Sequence, residues 1–173
     1  MGVLILDEKT NVMRLLEKKK IKYTLYNLYE KGMTLDTIKT KTSYDVAQII
    51  GINPNQMFKT LVTVAKSNNH YVFVLPANTE LDLKKCAKAV KEKSISMVKS
   101  KELLELTGYI HGGCSPIGMK KFFTTTINNS AKDFDSIVFS AGKIGLLVQV
   151  SLQDLQKIIR VSFADITIEE QKG

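Results

Sequence analysis

Two apolar runs, residues 57–65 and 70–76, are separated only by Lys66-Ser67-Asn68-Asn69. Each run is rich in β-branched and aromatic residues, and the polar link is short enough to reverse the chain and nothing more. Such a pair reads as a β-hairpin, which makes the two runs antiparallel neighbours and excludes an all-helical fold. Around this hairpin the apolar residues follow a helical period instead. Thr10 caps a helix over 10–20 that carries Val12, Leu15 and Leu16 on one face. Ser43 opens a second helix, with Val46, Ile49 and Ile50 apolar and Gly51 as its terminator. Asp82 caps a third that runs through Val90, with Leu83, Ala87 and Val90 inward and Lys84, Lys85, Lys88 and Lys91 outward.

The remaining punctuation gives further strands. Residues 21–29 and 94–98 read as extended. A helix starts at Ser100 and ends near Thr107-Gly108. Residues 122–127 form another strand. Residues 136–140 and 146–150 pair around the turn Ala141-Gly142-Lys143-Ile144-Gly145. Ser151 to Asp154 resembles a capping box before a helix over 152–159, and 161–168 is extended. Residues 30–40 read as a loop, Asn53-Pro54-Asn55 as a turn, and 109–118 as a glycine-rich loop. Helices interleaved with short hairpin-linked strands predict an α+β fold, a curved mixed or antiparallel sheet with peripheral helices, in a single domain over 1–173.

Charge and cysteine usage narrow the function. With 25 Lys+Arg against 17 Asp+Glu the net charge is +8, which favours a polyanionic partner, either nucleic acid or an acidic protein. No apolar run reaches the length of a membrane span, and residues 1–7 are too short and lack the basic flank of a secretion signal, so the expected location is cytoplasmic, with no membrane partner. Cys86 and Cys114 read as two reduced thiols. With only His70 and His111 and no metal-ligand spacing, neither a metal nor any other cofactor is expected.

Three segments carry candidate chemistry. In Met57-Phe58-Lys59-Thr60-Leu61, alternation sets Lys59 opposite Phe58 and Thr60, and an ammonium among such neighbours costs several kcal/mol to desolvate without a partner. An edge-strand lysine that deters aggregation is the alternative. In Gly108-Tyr109-Ile110-His111-Gly112-Gly113-Cys114-Ser115-Pro116-Ile117-Gly118, the glycines let backbone N–H groups approach a ligand, as for an oxyanion or an acyl carbonyl; a plain connecting loop is the alternative. In Ser140-Ala141-Gly142-Lys143-Ile144-Gly145-Leu146, Lys143 could bind a phosphate and Ser140 orient a substrate group, or the segment is an ordinary tight turn. There is no Walker loop, no GxSxG elbow and no paired-carboxylate arrangement. His111 and Cys114 need not meet, so a thiol nucleophile is not expected.

Taken in order, these segments resemble the YbaK family of aminoacyl-tRNA deacylases, the Cys-tRNA(Pro) deacylases, over nearly the whole chain. The resemblance rests on Asn53-Pro54-Asn55-Gln56-Met57-Phe58-Lys59-Thr60-Leu61, Leu81-Asp82-Leu83-Lys84-Lys85, Thr107-Gly108-Tyr109, Gly112-Gly113-Cys114-Ser115-Pro116-Ile117-Gly118, Ser140 to Leu146 and Phe163-Ala164-Asp165-Ile166. It implies a barrel-like curved sheet shared with the editing domain inserted in some prolyl-tRNA synthetases. It implies catalytic roles for Lys59 and Thr60, and substrate contacts from Gly112, Gly113, Ser115, Pro116, Ser140, Gly142, Lys143 and Gly145. It implies aminoacyl-tRNA(Pro) as substrate, with Cys-tRNA(Cys) as a further one, and prolyl-tRNA synthetase as a partner. The chemistry it implies uses the substrate's own thiol, which attacks the ester carbonyl, closes a ring and expels the ribose oxygen. Such a step is lyase-like; attack by water would make the enzyme a hydrolase. Ala141, Ile144, Leu147 and Leu28 depart from the family pattern, where glycine, arginine, an acidic residue and an aromatic are common. Two alternatives stay open: a deacylase for another small amino acid such as alanine on tRNA(Pro), and a non-catalytic module that binds tRNA or a synthetase. Lys84, Lys85, Lys88 and Lys91, and separately Lys120 and Lys121, are candidate phosphate contacts.

Overall fold

The computed structural model describes residues 9–169; the reading of residues 1–7 as unlike a secretion signal lies outside them. In chain order the elements are α1 (Asn11–Lys18), β1 (Thr24–Asn27), α2 (Leu35–Lys39), α3 (Ser43–Ile50), β2 (Phe58–Ala65), β3 (His70–Pro76), α4 (Leu83–Ala89), β4 (Ile95–Met97), α5 (Ser100–Thr107), β5 (Thr124–Asn128), β6 (Ser136–Ser140), β7 (Leu146–Ser151), α6 (Leu152–Ile158) and β8 (Val161–Ala164). The helix ends follow the side chains that can satisfy orphan backbone groups. Thr10 accepts from the Met13 amide, Asp82 from those of Lys84 and Lys85, and Ser151 from that of Asp154. The second helix opens at Ser43 as expected, and Thr42 before it caps the end in a reciprocal capping box with Asp45. Residues 30–40 are not a loop throughout. They hold the end of a 3₁₀ turn (Tyr29–Lys31) and the five-residue helix α2, whose cap is Thr34. Asn53-Pro54-Asn55 likewise opens a 3₁₀ turn, Pro54–Gln56, in place of a simple reversal.

The strands form two ladders. A three-stranded antiparallel sheet has the order β1-β7-β6, and a five-stranded mixed sheet has the order β4-β2-β3-β5-β8. The hairpin forms as its link requires, with Lys59 opposite Leu75 and Val62 opposite Val72. β5 and β8 then add in parallel. The two ladders meet at one parallel bridge, Met57 to Val138, so the curved sheet folds over without a continuous closed ladder among the described residues.

Alternation sorts the side chains of β3 to two cores. Val72 and Val74 join Phe58, Val62, Phe139, Val148 and the helix residues Val12, Leu16 and Leu155 in the main core. Phe73 and Leu75 point through the sheet to Cys86 and Ala87 of α4. α4 therefore presents Cys86 and Ala87, while Leu83, expected inward, is exposed. A third cluster packs Val46, Ala47, Ile38 and Leu28 against Met57 and Val138, where the two ladders meet. Each fully buried large aliphatic or aromatic side chain contributes about 1.5–3 kcal/mol. These clusters hold the ladder junction rigid beside the open edge of β2.

Candidate active site

That edge is the floor of a cavity. β4 pairs with β2 only at Thr63–Ala65, so from Lys59 to Leu61 the strand is laddered to β3 alone. Beyond this edge lies a cavity of about 460 Å³ lined by Phe58, Lys59, Thr60, Leu61 and Val62. α5 and the residues before it supply Val98, Ser100 and Leu103; the glycine loop supplies His111, Gly112 and Cys114; β6 and β7 supply Ser140 and Leu147. The walls are largely apolar, with few polar groups, as is usual for a small-molecule site.

Two of those polar groups are not satisfied among the described residues. Lys59 is half-buried and forms no ion pair among the described residues. Its burial lowers the ammonium pKa from the usual lysine value, and the negative charge of Glu80 opposes that shift only in part. Thr60 is buried, and among the described residues its hydroxyl has no hydrogen-bond partner. A buried orphan hydroxyl costs about 1–3 kcal/mol. A cation and a hydroxyl on successive residues, both short of partners, form a place where charge or a polar ligand is favoured.

The roof is built from the two glycine segments. In the first, Thr107 accepts from the Tyr109 amide at 3.0 Å while the Tyr109 hydroxyl donates to the Ile117 carbonyl, which ties both ends of the loop. Between them the Gly113 amide donates to Ile110 at 3.0 Å, and Gly112 takes φ +87°, a conformation that favours glycine. In the second, the Ser140 hydroxyl accepts from the Gly142 amide at 3.0 Å. The segments touch: a Cβ on Gly113 would stand 3.3 Å from the Ile144 nitrogen. Gly145, at φ +93°, lies so close to Tyr29 that a Cβ would be 2.5 Å from its ring, and the Tyr29 hydroxyl donates to the Ile144 carbonyl at 2.8 Å.

A second cavity, of about 550 Å³, shares His111, Gly112 and Leu147 with the first. Leu28, Ile38, Val46, Met57, Ile144 and Gly145 also line it, and Lys39 and Lys41 stand at its border. The departures Leu28, Ile144 and Leu147 thus all line this second cavity, where Ile144 and Leu147 put apolar surface in place of charged residues common in the family.

Of the residues singled out from sequence, Lys59, Thr60, Gly112 and Ser140 line one cavity. Gly113 is buried behind Gly112, and Gly142 shapes the facing turn. Gly145 lines the second cavity. Ser115 is buried, with its hydroxyl accepting from the Ile117 amide, and Pro116 faces a separate cleft. Lys143 is exposed and lines neither cavity. Sequence reasoning missed the α5 wall and Leu147, because their approach depends on how the two ladders fold together. Cys114 lines the cavity, yet burial pushes its thiol up to about 12, so it is not a thiolate near neutrality. Among the described residues no group of three His, Cys, Asp or Glu could hold a metal ion, and no helix is long and apolar enough to cross a membrane.

Comparison with known proteins agrees with this architecture. A family model described as "aminoacyl-tRNA editing domain" matches residues 37–158. A protein of Enterococcus faecalis named as a candidate Cys-tRNA(Pro)/Cys-tRNA(Cys) deacylase, EbsC, is 41% identical over 164 residues, which cover 95% of this chain and 96% of that one. A proline–tRNA ligase of Thermodesulfovibrio yellowstonii is 28% identical over 97 residues, 56% of this chain and 17% of the ligase. Among solved structures, a candidate trans-editing enzyme for prolyl tRNA synthetase superposes with a TM-score of 0.76 at 21% identity, covering 94% of this chain and all of that one, a likeness of fold.

Proposed function

The chain belongs to the aminoacyl-tRNA editing domain family, and from that premise we propose that it is an aminoacyl-tRNA deacylase that clears cysteine from tRNA(Pro). The observation that carries this reading is the pairing of a half-buried Lys59 with the buried Thr60 hydroxyl, neither with a partner among the described residues, in an apolar cavity under two glycine turns. An aminoacyl ester that enters the cavity brings the groups these residues lack. Its carbonyl oxygen gains negative charge during cleavage, and Lys59 offsets that charge in a site of low dielectric. The Thr60 hydroxyl exchanges its unsatisfied state for a hydrogen bond to the acyl end. Gly112 and Ser140 bound the space without filling it, so a small side chain fits.

Burial keeps the Cys114 thiol protonated, so the cavity's own cysteine does not serve as a thiolate nucleophile. The substrate supplies its own. The cysteine sulfur attacks its ester carbonyl and forms a carbon–sulfur bond. The bond from that carbon to the ribose oxygen then breaks, its electron pair leaves on the oxygen, and the thiol proton ends there as the ribose hydroxyl. The product is a four-membered thiolactone, which water opens to free cysteine. The protein's part is to hold the sulfur over the carbonyl and to stabilise the oxyanion. The site of action is the cytoplasm, and a prolyl-tRNA synthetase that releases mischarged tRNA is the partner this reading supplies.

Single-turnover deacylation of tRNA(Pro) charged with cysteine, alanine or proline tests the assignment. Rapid loss of cysteine alone is expected. Preferential loss of alanine would point to a water nucleophile. No loss of any of them would leave a binding module.

A further inference from the structure

We propose that the cleft at the starts of β3, β5 and β8 binds the acceptor arm of the RNA substrate, with Lys120, Lys121 and Arg160 on phosphates and Phe122 against a base. This rests on the deacylase reading for its substrate and adds where that substrate's RNA lies.

The cleft, of about 230 Å³, is lined by Lys120, Lys121, Phe122 and Arg160 together with Pro116 and Phe123, and among the described residues no carboxylate lines it. Phe122 is 76% exposed, whereas its neighbour Phe123 turns inward and meets the His70 ring edge-on. An exposed phenyl ring bordered by three cations matches a nucleic-acid strand, which offers flat bases and regularly spaced anions. Lys120 is held in place: its amide donates to the Thr107 carbonyl at 3.1 Å, and its aliphatic stem lies over Gly108.

Position agrees with charge. The loop that roofs the acyl cavity at His111, Gly112 and Cys114 continues directly into this cleft at Pro116. Lys59 is level with Leu75, while the cleft is level with His70 at the other end of β3. Five residues of strand span about 17 Å, which is about five nucleotides at the rise of a stacked strand. An acyl group in the cavity thus leaves the RNA behind it within reach of the cleft.

The other basic surface is less well placed. α4 contributes no residue to the cavity lining and packs on Phe73 and Leu75, with Leu61 of the cavity edge partly against it. Its Lys85 is already committed to Asp165 at 2.9 Å and to the Thr167 carbonyl at 2.8 Å.

The test measures binding of uncharged tRNA(Pro) and of its acceptor-arm minihelix across a salt series, for the full chain and for Phe122→Ala and Lys121→Ala/Arg160→Ala. Loss of two phosphate contacts lowers the slope of log Kd against log salt by about 1.4–1.8. Loss of the stacking ring weakens binding roughly fivefold or more. On cysteinyl-tRNA the KM rises in step, whereas turnover of 3′-O-cysteinyl-adenosine, which has no acceptor arm, is unchanged within twofold. An unaltered Kd and salt slope in both variants overturns the proposal, as does a cleft that captures a polyglutamate peptide while RNA affinity stays fixed. The two readings fail separately. If the unmodified protein clears no aminoacyl-tRNA but loses RNA affinity on these substitutions, the surface stands and the deacylase reading falls. If it clears cysteinyl-tRNA and the variants bind RNA as it does, the surface falls alone.

Discussion

Replacing Lys59 with methionine should abolish activity and make the protein more stable, a pair of opposite effects that a purely structural lysine would not produce. The ammonium is half-buried at a cavity that Phe58, Leu61 and α5 residues also line, and among the described residues nothing forms an ion pair with it. A fully buried unpaired charge would cost several kcal/mol. Partial exposure and solvent screening reduce this to about 1 kcal/mol. Methionine keeps the length and removes the charge, so Tm should rise by about 2–4 °C for a chain of this size. The pH dependence fixes the sign. Burial holds the folded-state pKa below the usual lysine value, so the folded chain releases this proton more readily than the unfolded one. The associated stability is present above pH 10.5 and is lost as pH falls through the folded-state pKa. Near neutrality the penalty is complete, and the gain from Lys59→Met is flat there and shrinks towards pH 10.5. Single-turnover deacylation of cysteinyl-tRNA should fall about 10²–10³-fold, the usual loss on removing one oxyanion stabiliser. Thermal unfolding and deacylation are measured on one preparation. A lower Tm, or activity within threefold of the unmodified protein, would refute this account of Lys59.

Thr60→Val removes a buried hydroxyl that has no partner among the described residues; stability should hold or rise by up to about 1 kcal/mol while kcat/KM falls, checked by denaturant titration and deacylation assay. Gly145→Ala places a methyl 2.5 Å from the Tyr29 ring at a φ that alanine avoids, so it should cost at least about 2 kcal/mol and lower Tm by several degrees. Burial raises the thiols of Cys86 and Cys114 from 9.0 to about 12 and the Tyr109 phenol from 10.0 to about 12. The unfolded chain therefore loses these protons first, stability should decline as pH rises from about 9 towards 12, and Cys114→Ala should flatten the decline without loss of deacylation at pH 7.

The fold was legible wherever one local signal sufficed. Thr10, Asp82, Ser151 and Gly51 mark helix ends because capping groups act within a few residues. The hairpin was legible because its link is too short for any other connection. α2 escaped notice because five residues hold too little of a helical period, and only Ile38 is buried. Leu83 looked inward by spacing alone, but the sheet offers its contact to Cys86 and Ala87, one turn further on.

The site divides along the same line. Lys59 stood out as a charge in an apolar strand, and the glycine segments as backbone that had to turn tightly. What could not be read was which side each segment would show. Ser115 spends its hydroxyl on the Ile117 amide, Pro116 turns to the other cleft and Lys143 points to solvent, since the contacts between loop and turn lie at Gly113 and Ile144. Leu147 and His111, which line both cavities, come from segments far apart in the chain that meet only in the folded structure.

The central claim is that cysteine's own sulfur breaks the ester while Lys59 and Thr60 stabilise the acyl end. Cysteine and serine differ by one atom and place it identically, so the most direct measurement charges the same tRNA(Pro) with each and compares single-turnover rates. At least a hundredfold faster loss of cysteine, with a transient thiolactone trapped by an added amine, is the predicted result. Equal rates would contradict it.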